Sequence, residues 1–312
     1  MRMAMIGLGR MGGNMARRLA RGGIEVVGWN RNPEVAEAIS RDEGIQAAPA
    51  VDLAVAALPQ PRVVWLMLPA GEITERQIDA LIPLLSPGDV IVDGGNALYR
   101  DSIRRAELLA GSGIGFVDAG TSGGIWGLEN GYCLMVGGSD EAVGHVRPAL
   151  EVLAPAPDRG WAHVGPVGSG HFVKMVHNGI EYGMMQALAE GLDLLRAKEP
   201  FNLDLAQVSE LWRHGSVVQS WLLDLTAGAL ANDQELRNVA PVVADSGEGR
   251  WTSQEAIDLG VATPVMTLAL QMRFASQDSH GYGNRLLATM RHAFGGHAIT
   301  RHEPGTGEPS GS

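Results

Sequence analysis

The stretch "MAMIGLGRMGGNM", residues 3–15, decides how the rest of the chain is read. A short apolar run leads straight into glycines at 7, 9 and 12, and a helix-like segment opens at Arg10. This is the G-x-G-x-x-G register in a strand, loop and helix context. Gly7 permits the tight turn, Gly9 lets a pyrophosphate approach the backbone, and Gly12 lets helix and strand pack closely. The helix start supplies unpaired N–H groups and positive potential for phosphates. With 42 glycines in the chain the pattern alone is easily matched by chance, so its weight comes from that context. Leu8, Arg10 and Met11 lie between the glycines and belong to the same cradle.

Working outward, β-like runs at 24–29, 62–68, 89–95, 114–120 and 132–138 alternate with helix-like stretches at 10–22, 33–43, 72–85 and 99–111. Such alternation predicts a doubly wound, mostly parallel sheet. The character changes across "WAHVGPVGSG" (161–170), punctuated by Pro166, Gly168 and Gly170. Beyond it the chain reads as helix after helix, the first over about 169–198 with Pro200 as its stop. The expectation is an α/β Rossmann-type doubly wound domain over 1–164, followed by an all-α domain over 165–312 for substrate binding and dimerisation.

Of the 312 residues, 45% are hydrophobic and 19% charged, the balance of a globular protein with a sizeable core. A net charge of -11 argues against nucleic acid or an anionic membrane as the main partner, and makes an anionic substrate depend on a local cationic pocket. Cys133 is the only cysteine, which excludes an intrachain disulfide and a cysteine-rich zinc site and fits a reducing cytoplasm. The N-terminus shows no cleavable leader, no apolar run approaches the roughly 18 residues of a membrane span, and no ligand cluster with metal spacing is visible, so no metal is expected.

The end of the second β-like run bears on coenzyme choice. Where NAD enzymes usually place an acidic residue for the ribose hydroxyls, "GWNRNP" (28–33) offers Asn30, Arg31 and Asn32. Arg31 pairing with a 2′-phosphate favours NADP. The alternative is a solvated Arg31, with Asn30 on the ribose of NAD. Leu68, closing the run 62–68, is assigned to the same coenzyme site.

Two further glycine loops follow β-like runs, "DGGN" (93–96) and "DAGTSGG" (118–124), at the carboxyl ends where open α/β sheets bind ligands. Asn96 and Ser122 offer polar side chains, and Gly123 and Gly124 offer backbone N–H groups to an anion. Taken singly, each is equally well an ordinary glycine turn. In "GHFVKMVHNGIEYG" (170–183), helical spacing gathers Lys174, His177, Asn178 and Glu181 into one polar stripe. That stripe is either a solvated face, with Glu181 serving as an ion-pair partner, or a reaction site.

With these residues assembled, the chain resembles the decarboxylating 6-phosphogluconate dehydrogenases, in their short form within the β-hydroxyacid dehydrogenase superfamily. The resemblance covers nearly the whole chain through "GLGRMGGNMARRL", "DGGN", "TSGG", "GHFVKMVHNGIEYG", "GRWT" (249–252), "PVMTLALQMRFAS" (264–276) and "RHAFGGH" (291–297). It implies oxidative decarboxylation of 6-phosphogluconate to ribulose 5-phosphate and carbon dioxide, with reduction of NADP or NAD. By resemblance Lys174 is the base and Glu181 the proton donor to the enediol. Asn96, Ser122, Gly123, Gly124, His177 and Asn178 then hold the hydroxyl and carboxylate end, with Asn96 also beside the coenzyme. Tyr182 and Arg273 hold the phosphate. Arg291 and His297 would enter a neighbouring subunit's site, which implies a homodimer or higher homo-oligomer with shared active sites. The pattern departs at "DSGEGRWT" (245–252), where longer relatives carry a lysine-bearing loop and this chain has Glu248, a phosphate repeller if it points inward. Two competing readings are a dehydrogenase of another β-hydroxy acid and a catalytically silent nicotinamide-binding protein.

Overall fold

The computed structural model describes residues 1–296 and 298–300, apart from the Phe294 side chain. Its first part is one eight-stranded sheet built from β1 (Arg2–Ile6), β2 (Glu25–Trp29), β3 (Gln46–Ala47), β4 (Val63–Leu66), β5 (Val90–Asp93), β6 (Gly115–Ser122), β7 (Cys133–Gly138) and β8 (Trp161–Gly165). The spatial order is β3-β2-β1-β4-β5-β6-β7-β8, with every pair parallel except β6 with β7. Helices α1 (Arg10–Arg21), α2 (Pro33–Glu43), α3 (Val51–Ala56), α4 (Glu72–Leu81), α5 (Tyr99–Ala110), α6 (Gly127–Asn130) and α7 (Asp140–Leu153) join the strands.

Strand side chains alternate between faces, and the core divides accordingly. Met3, Met5, Trp65 and Val92 lie on one face with Met15 and Leu19 of α1 and Val146 and Leu150 of α7. Ala4, Ile6, Val64, Leu66 and Ile91 lie on the other, under Val55 of α3, Ile78 and Leu81 of α4 and Leu109 of α5. Both faces are dry, so these strands read as continuous apolar runs. The doubly wound, mostly parallel sheet is the one the alternation predicted. β3, with two residues, and β8, an edge strand exposed along most of its length, carry too little apolar pattern to stand out in the sequence. α7 was also hidden, with Pro148 inside it.

From α8 (Ser169–Ala197) on, the described residues are helical: α9 (Leu205–Trp212), α10 (Trp221–Asn232), α11 (Glu248–Asp258), α12 (Pro264–Gln277) and α13 (Tyr282–Gly295). Two compact units emerge, and their border runs through this helical part. The first comprises Met1–Leu203 with Ser246–Thr267, so α8 and α11 belong with the sheet; the second comprises Asp204–Asp245 and the chain from Leu268 on.

In the first unit α8 crosses the sheet at van der Waals distance. A methyl group at Gly120 would stand 2.4 Å from Cβ of Lys174, and one at Gly170 would stand 2.4 Å from the Asp118 carbonyl. No α8 side chain caps its own start; instead buried Asp118 of β6 accepts from the N–H groups of Gly168 (2.7 Å) and His171 (2.8 Å). A carboxylate at a helix N-terminus satisfies orphan donors and complements the helix dipole. α11 lies against α8, where Thr252 Oγ1 donates to the Met175 carbonyl at 2.8 Å. In the second unit Asp204 caps α9, Ser220 caps α10, and Arg213 pairs with Asp224 at 2.7 Å to tie the two helices.

Candidate active site

The glycine loop sits between β1 and α1. Gly7 is buried with φ +94°, and its N–H donates to the Trp29 carbonyl at 2.9 Å. Gly12 has no room for a side chain, since a Cβ there would fall 2.0 Å from the Gly7 carbonyl oxygen. At Gly9 the reverse holds: nothing lies within 4 Å of where a Cβ would be, and no side chain caps the start of α1. Open space in front of uncapped N–H groups is what a pyrophosphate needs, and no acidic residue lies in that first turn to repel it. The residues present therefore fit a dinucleotide. Leu8 is buried beneath the loop, Met11 and Leu68 are half-buried, and Arg10 is exposed.

Asn30 and Asn32 are occupied by the fold. Asn30 Oδ1 accepts from the Leu8 N–H at 3.0 Å while its Nδ2 donates to the Asn32 carbonyl at 3.1 Å. Asn32 Oδ1 caps α2 through the Glu34 N–H at 3.2 Å. Arg31 between them is exposed, with no hydrogen-bond or ion-pair partner among the described residues.

Lys174 is 6% exposed on the sheet side of α8. Its Nζ donates to Asn178 Oδ1 at 2.8 Å, and His177 Nδ1 approaches the same oxygen at 3.1 Å. His177 Nδ1 also stands 3.9 Å from Glu181 Oε2, and both side chains are about a third exposed. The stripe thus descends from a dry lysine to a wet glutamate. Burial pushes the Lys174 ammonium below its ordinary range, against the pull of Glu181, Glu248 and Cys133. This chain meets its need for cations almost wholly with arginine, 22 against two lysines, and one of the two lysines is the buried Lys174. Arginine cannot give up its proton near neutrality, whereas a desolvated lysine can.

Around this stripe the structure arranges the other predicted residues of the first unit. Asn96 follows β5 as the exposed residue of an otherwise buried turn, between Gly95 and Ala97, and Ser122 ends β6 opposite Cys133 of β7. Gly123 and Gly124 follow with positive φ of 131° and 54°. Tyr182 is buried, with its hydroxyl 3.2 Å from Ser246 Oγ.

The residue not assigned a role from sequence is Glu248, the first of α11. It points inward and is 4% exposed; Asn96 Nδ2 donates to its Oε1 and Ser246 Oγ to its Oε2 at 2.6 Å. Its signal in the sequence was the acidic departure within "DSGEGRWT". Arg273 and Arg291 belong to the second unit. Arg273 Nη1 donates to the Ala244 carbonyl at 2.9 Å, and Arg291 is exposed on α13. His297 lies outside the described residues. Among the described residues no group of three or more His, Cys, Asp or Glu is placed to hold a metal ion, and no helix is long and apolar enough to cross a membrane.

Known proteins share this chain's two-domain architecture and much of its sequence. Residues 2–165 match the family model of the NAD binding domain of 6-phosphogluconate dehydrogenase, and 170–290 match that of its C-terminal domain. A Haloferax volcanii protein named as an NAD(+)-dependent, decarboxylating 6-phosphogluconate dehydrogenase is 40% identical over 304 residues, covering 97% of this chain and all of that one. A decarboxylating 6-phosphogluconate dehydrogenase of Synechococcus elongatus is 39% identical over 286 residues, 87% of this chain but 61% of the longer relative. Among solved structures, Plasmodium falciparum 6-phosphogluconate dehydrogenase, studied apo and with NADP+ or 6-phosphogluconate, superposes with a TM-score of 0.81 at 29% identity, over 98% of this chain and 67% of its own. A Mycobacterium tuberculosis 3-hydroxyisobutyrate dehydrogenase shares the fold at a TM-score of 0.71 and 22% identity, over 89% of this chain and 94% of its own. The two matched domains and the full-length similarity place the chain in the 6-phosphogluconate dehydrogenase family.

Proposed function

We propose that the protein oxidises and decarboxylates 6-phosphogluconate to ribulose 5-phosphate and carbon dioxide, with reduction of a nicotinamide dinucleotide. The observation that carries this reading is the dry Lys174, held by a neutral amide, on the same helix face as solvent-touching Glu181. Gly7, Gly9, Gly12 and the start of α1 would hold the coenzyme, which supplies the acceptor for the C3 hydride.

Lys174 in its neutral form takes the proton of the C3 hydroxyl as the C3–H bond breaks. The ammonium thus formed donates to the new ketone oxygen, drawing in the electron pair of the C1–C2 bond as carbon dioxide leaves. Glu181 delivers a proton to the enediol carbon that becomes C1 of the pentulose. Seven residues separate the two groups, about 10 Å along the helix at 1.5 Å per residue, a span suited to a six-carbon chain. Ser122, Gly123 and Gly124 are assigned to the substrate carboxylate, and Asn96, His177 and Asn178 to the hydroxyl end. Tyr182, Arg273 and Arg291 are assigned to the phosphate, and His297 to the sugar chain in the neighbouring subunit's site.

Exposed Arg31 supports NADP, and the absence of a carboxylate at Asn30 points the same way. The NAD(+)-dependent name of the Haloferax relative supports NAD as the alternative. Exposed Leu286, Leu287 and Met290 on α13 support self-association into a homodimer or higher homo-oligomer. Absence of a membrane-spanning helix among the described residues is compatible with work in the cytoplasm.

The inward carboxylate of Glu248 favours a second reading, a dehydrogenase for an unphosphorylated β-hydroxy acid, because it gives a phosphate no welcome beside Tyr182 and Ser246. Initial rates with 6-phosphogluconate and gluconate, each with NAD and NADP and with carbon dioxide followed in parallel, separate the two readings. Turnover of the phosphorylated acid with stoichiometric carbon dioxide is expected; turnover of gluconate alone would favour the second reading. Size-exclusion chromatography with light scattering tests assembly, and a fully active monomer would exclude the shared site.

A further inference from the structure

The buried carboxylate that opens α11 has no part in the mechanism above. Glu248 is buried, and its two oxygens are both engaged, by Asn96 of the β5 loop and by Ser246. Its place is set by close packing of α11 on α8. A Cβ at Gly249 would come within 2.5 Å of the Tyr182 ring, and one at Gly179 within 2.7 Å of Thr252 Cγ2. Being first in its helix, Glu248 also sits where the helix dipole favours an anion.

We infer that Glu248 is a positioning residue of the site: its carboxylate fixes the Asn96 amide in one orientation and stands as a buried counter-charge to Lys174. The inference rests on the assignment of Lys174 as base.

An amide that donates through Nδ2 to a carboxylate cannot flip without losing a charge-assisted hydrogen bond, so Asn96 keeps its carbonyl oxygen for a substrate hydroxyl. The charged and titratable groups around Lys174 come from each element packed on it. α8 itself brings His177 and Glu181, β7 brings Cys133, and α11 brings Glu248. Asp118 of β6 is already engaged by the start of α8. Glu181 pulls on Lys174 more strongly than Glu248 does. It is 38% exposed, however, and must exchange its proton during turnover, so its attraction is screened and intermittent. Glu248 is dry, and both of its oxygens are held by hydrogen bonds from Asn96 and Ser246.

The test uses the full-length enzyme, with two readouts. Only two lysines occur in the chain, so protein labelled with 13C-lysine gives two Cε signals, and Lys198→Arg identifies that of Lys174. Removing a nearby anion destabilises the ammonium. The Lys174 titration midpoint is therefore expected to fall by about one unit in Glu248→Gln and to return most of the way in Glu248→Asp. A midpoint in Glu248→Gln indistinguishable from that of the unmodified enzyme overturns the counter-charge. The second readout is the pH dependence of kcat/KM with 6-phosphogluconate. Its rising limb is expected to move to lower pH by the same amount, with about a ten-fold lower plateau from the freed Asn96 amide. An unchanged plateau overturns the role toward Asn96. An enzyme inactive on 6-phosphogluconate would sink the proposed substrate alone, because the lysine titration still decides the inference about Glu248.

Discussion

Arg105 and Lys174 are both cations buried in the sheet-bearing unit, exposed by 0% and 6%, yet they have opposite surroundings. Arg105 of α5 is clamped by carboxylates, with Asp93 at 2.6 Å and Glu75 at 2.7 Å. Burial pushes the Glu75 carboxyl up, but Arg104 and Arg105 outweigh it and hold Glu75 below its ordinary range. Lys174 has a neutral amide as its direct partner, while its acidic neighbours act from farther off. A fork that never loses its proton, set between two carboxyl groups, holds a loop end in place, although full burial pushes the Asp93 carboxyl up against the pull of His171 and Arg105; Asp93 opens "DGGN", and its Oδ1 accepts from the Gly95 N–H at 3.1 Å. An ammonium whose desolvation outweighs the pull of its more distant acidic neighbours sheds its proton more readily. The difference between the two surroundings teaches which buried cation is locked in its charged form and which is free to lose its proton, as the proposed role of Lys174 requires.

The sharpest way to break this comparison is Lys174→Arg, alongside Lys174→Ala. Both are expected to lower kcat by about 10³–10⁴-fold, equivalent to about 4–5.5 kcal/mol of barrier, with coenzyme affinity by fluorescence titration unchanged. If the arginine variant kept activity within ten-fold, proton loss from residue 174 would have no part in the reaction. Next, Arg105→Met strands Asp93 and is expected to cost about 3–5 kcal/mol of folding stability by urea unfolding. A loss under about 1 kcal/mol would remove the structural half of the contrast.

Smaller effects sharpen the chemical half. Glu181→Gln is expected to reduce pentulose formation about 100-fold while leaving coenzyme binding intact, and normal turnover would remove it as proton donor. Because burial lowers the Lys174 pKa, the neutral base is populated above that lowered value. kcat/KM is therefore expected to rise with pH and level off below the range of an ordinary lysine. A rise continuing to about pH 10.4 would mean an ordinary, unshifted lysine. Arg31→Ala is expected to weaken NADP by about ten-fold, roughly 1.4 kcal/mol, and to spare NAD. Equal losses for the two coenzymes would show that Arg31 reads no 2′-phosphate.

Much of this was legible in the chain. β1, the glycine loop and α1 follow from residues 3–15, because turn, phosphate approach and helix packing each demand glycine at a fixed spacing. The stripe of Lys174, His177, Asn178 and Glu181 follows from helical periodicity alone. β8 was illegible because an exposed edge strand has no apolar alternation, and Glu248 was ambiguous because a lone acid one residue past a glycine reads as solvated. Only the fold shows that the Asn30 and Asn32 side chains also tie the loop and cap α2.

The sequence by itself determined the doubly wound sheet, the glycine loop that opens α1 and the helical face that carries Lys174, since each is written in local spacing. Only the tertiary structure decided how dry Lys174 is, which way Glu248 faces and which helices join the sheet. Those depend on α8 crossing β6 at Gly120 and on α11 closing against Tyr182. Burial and counter-charge are properties of segments far apart in the chain, here 174 and 248, and no local pattern encodes the distance between them.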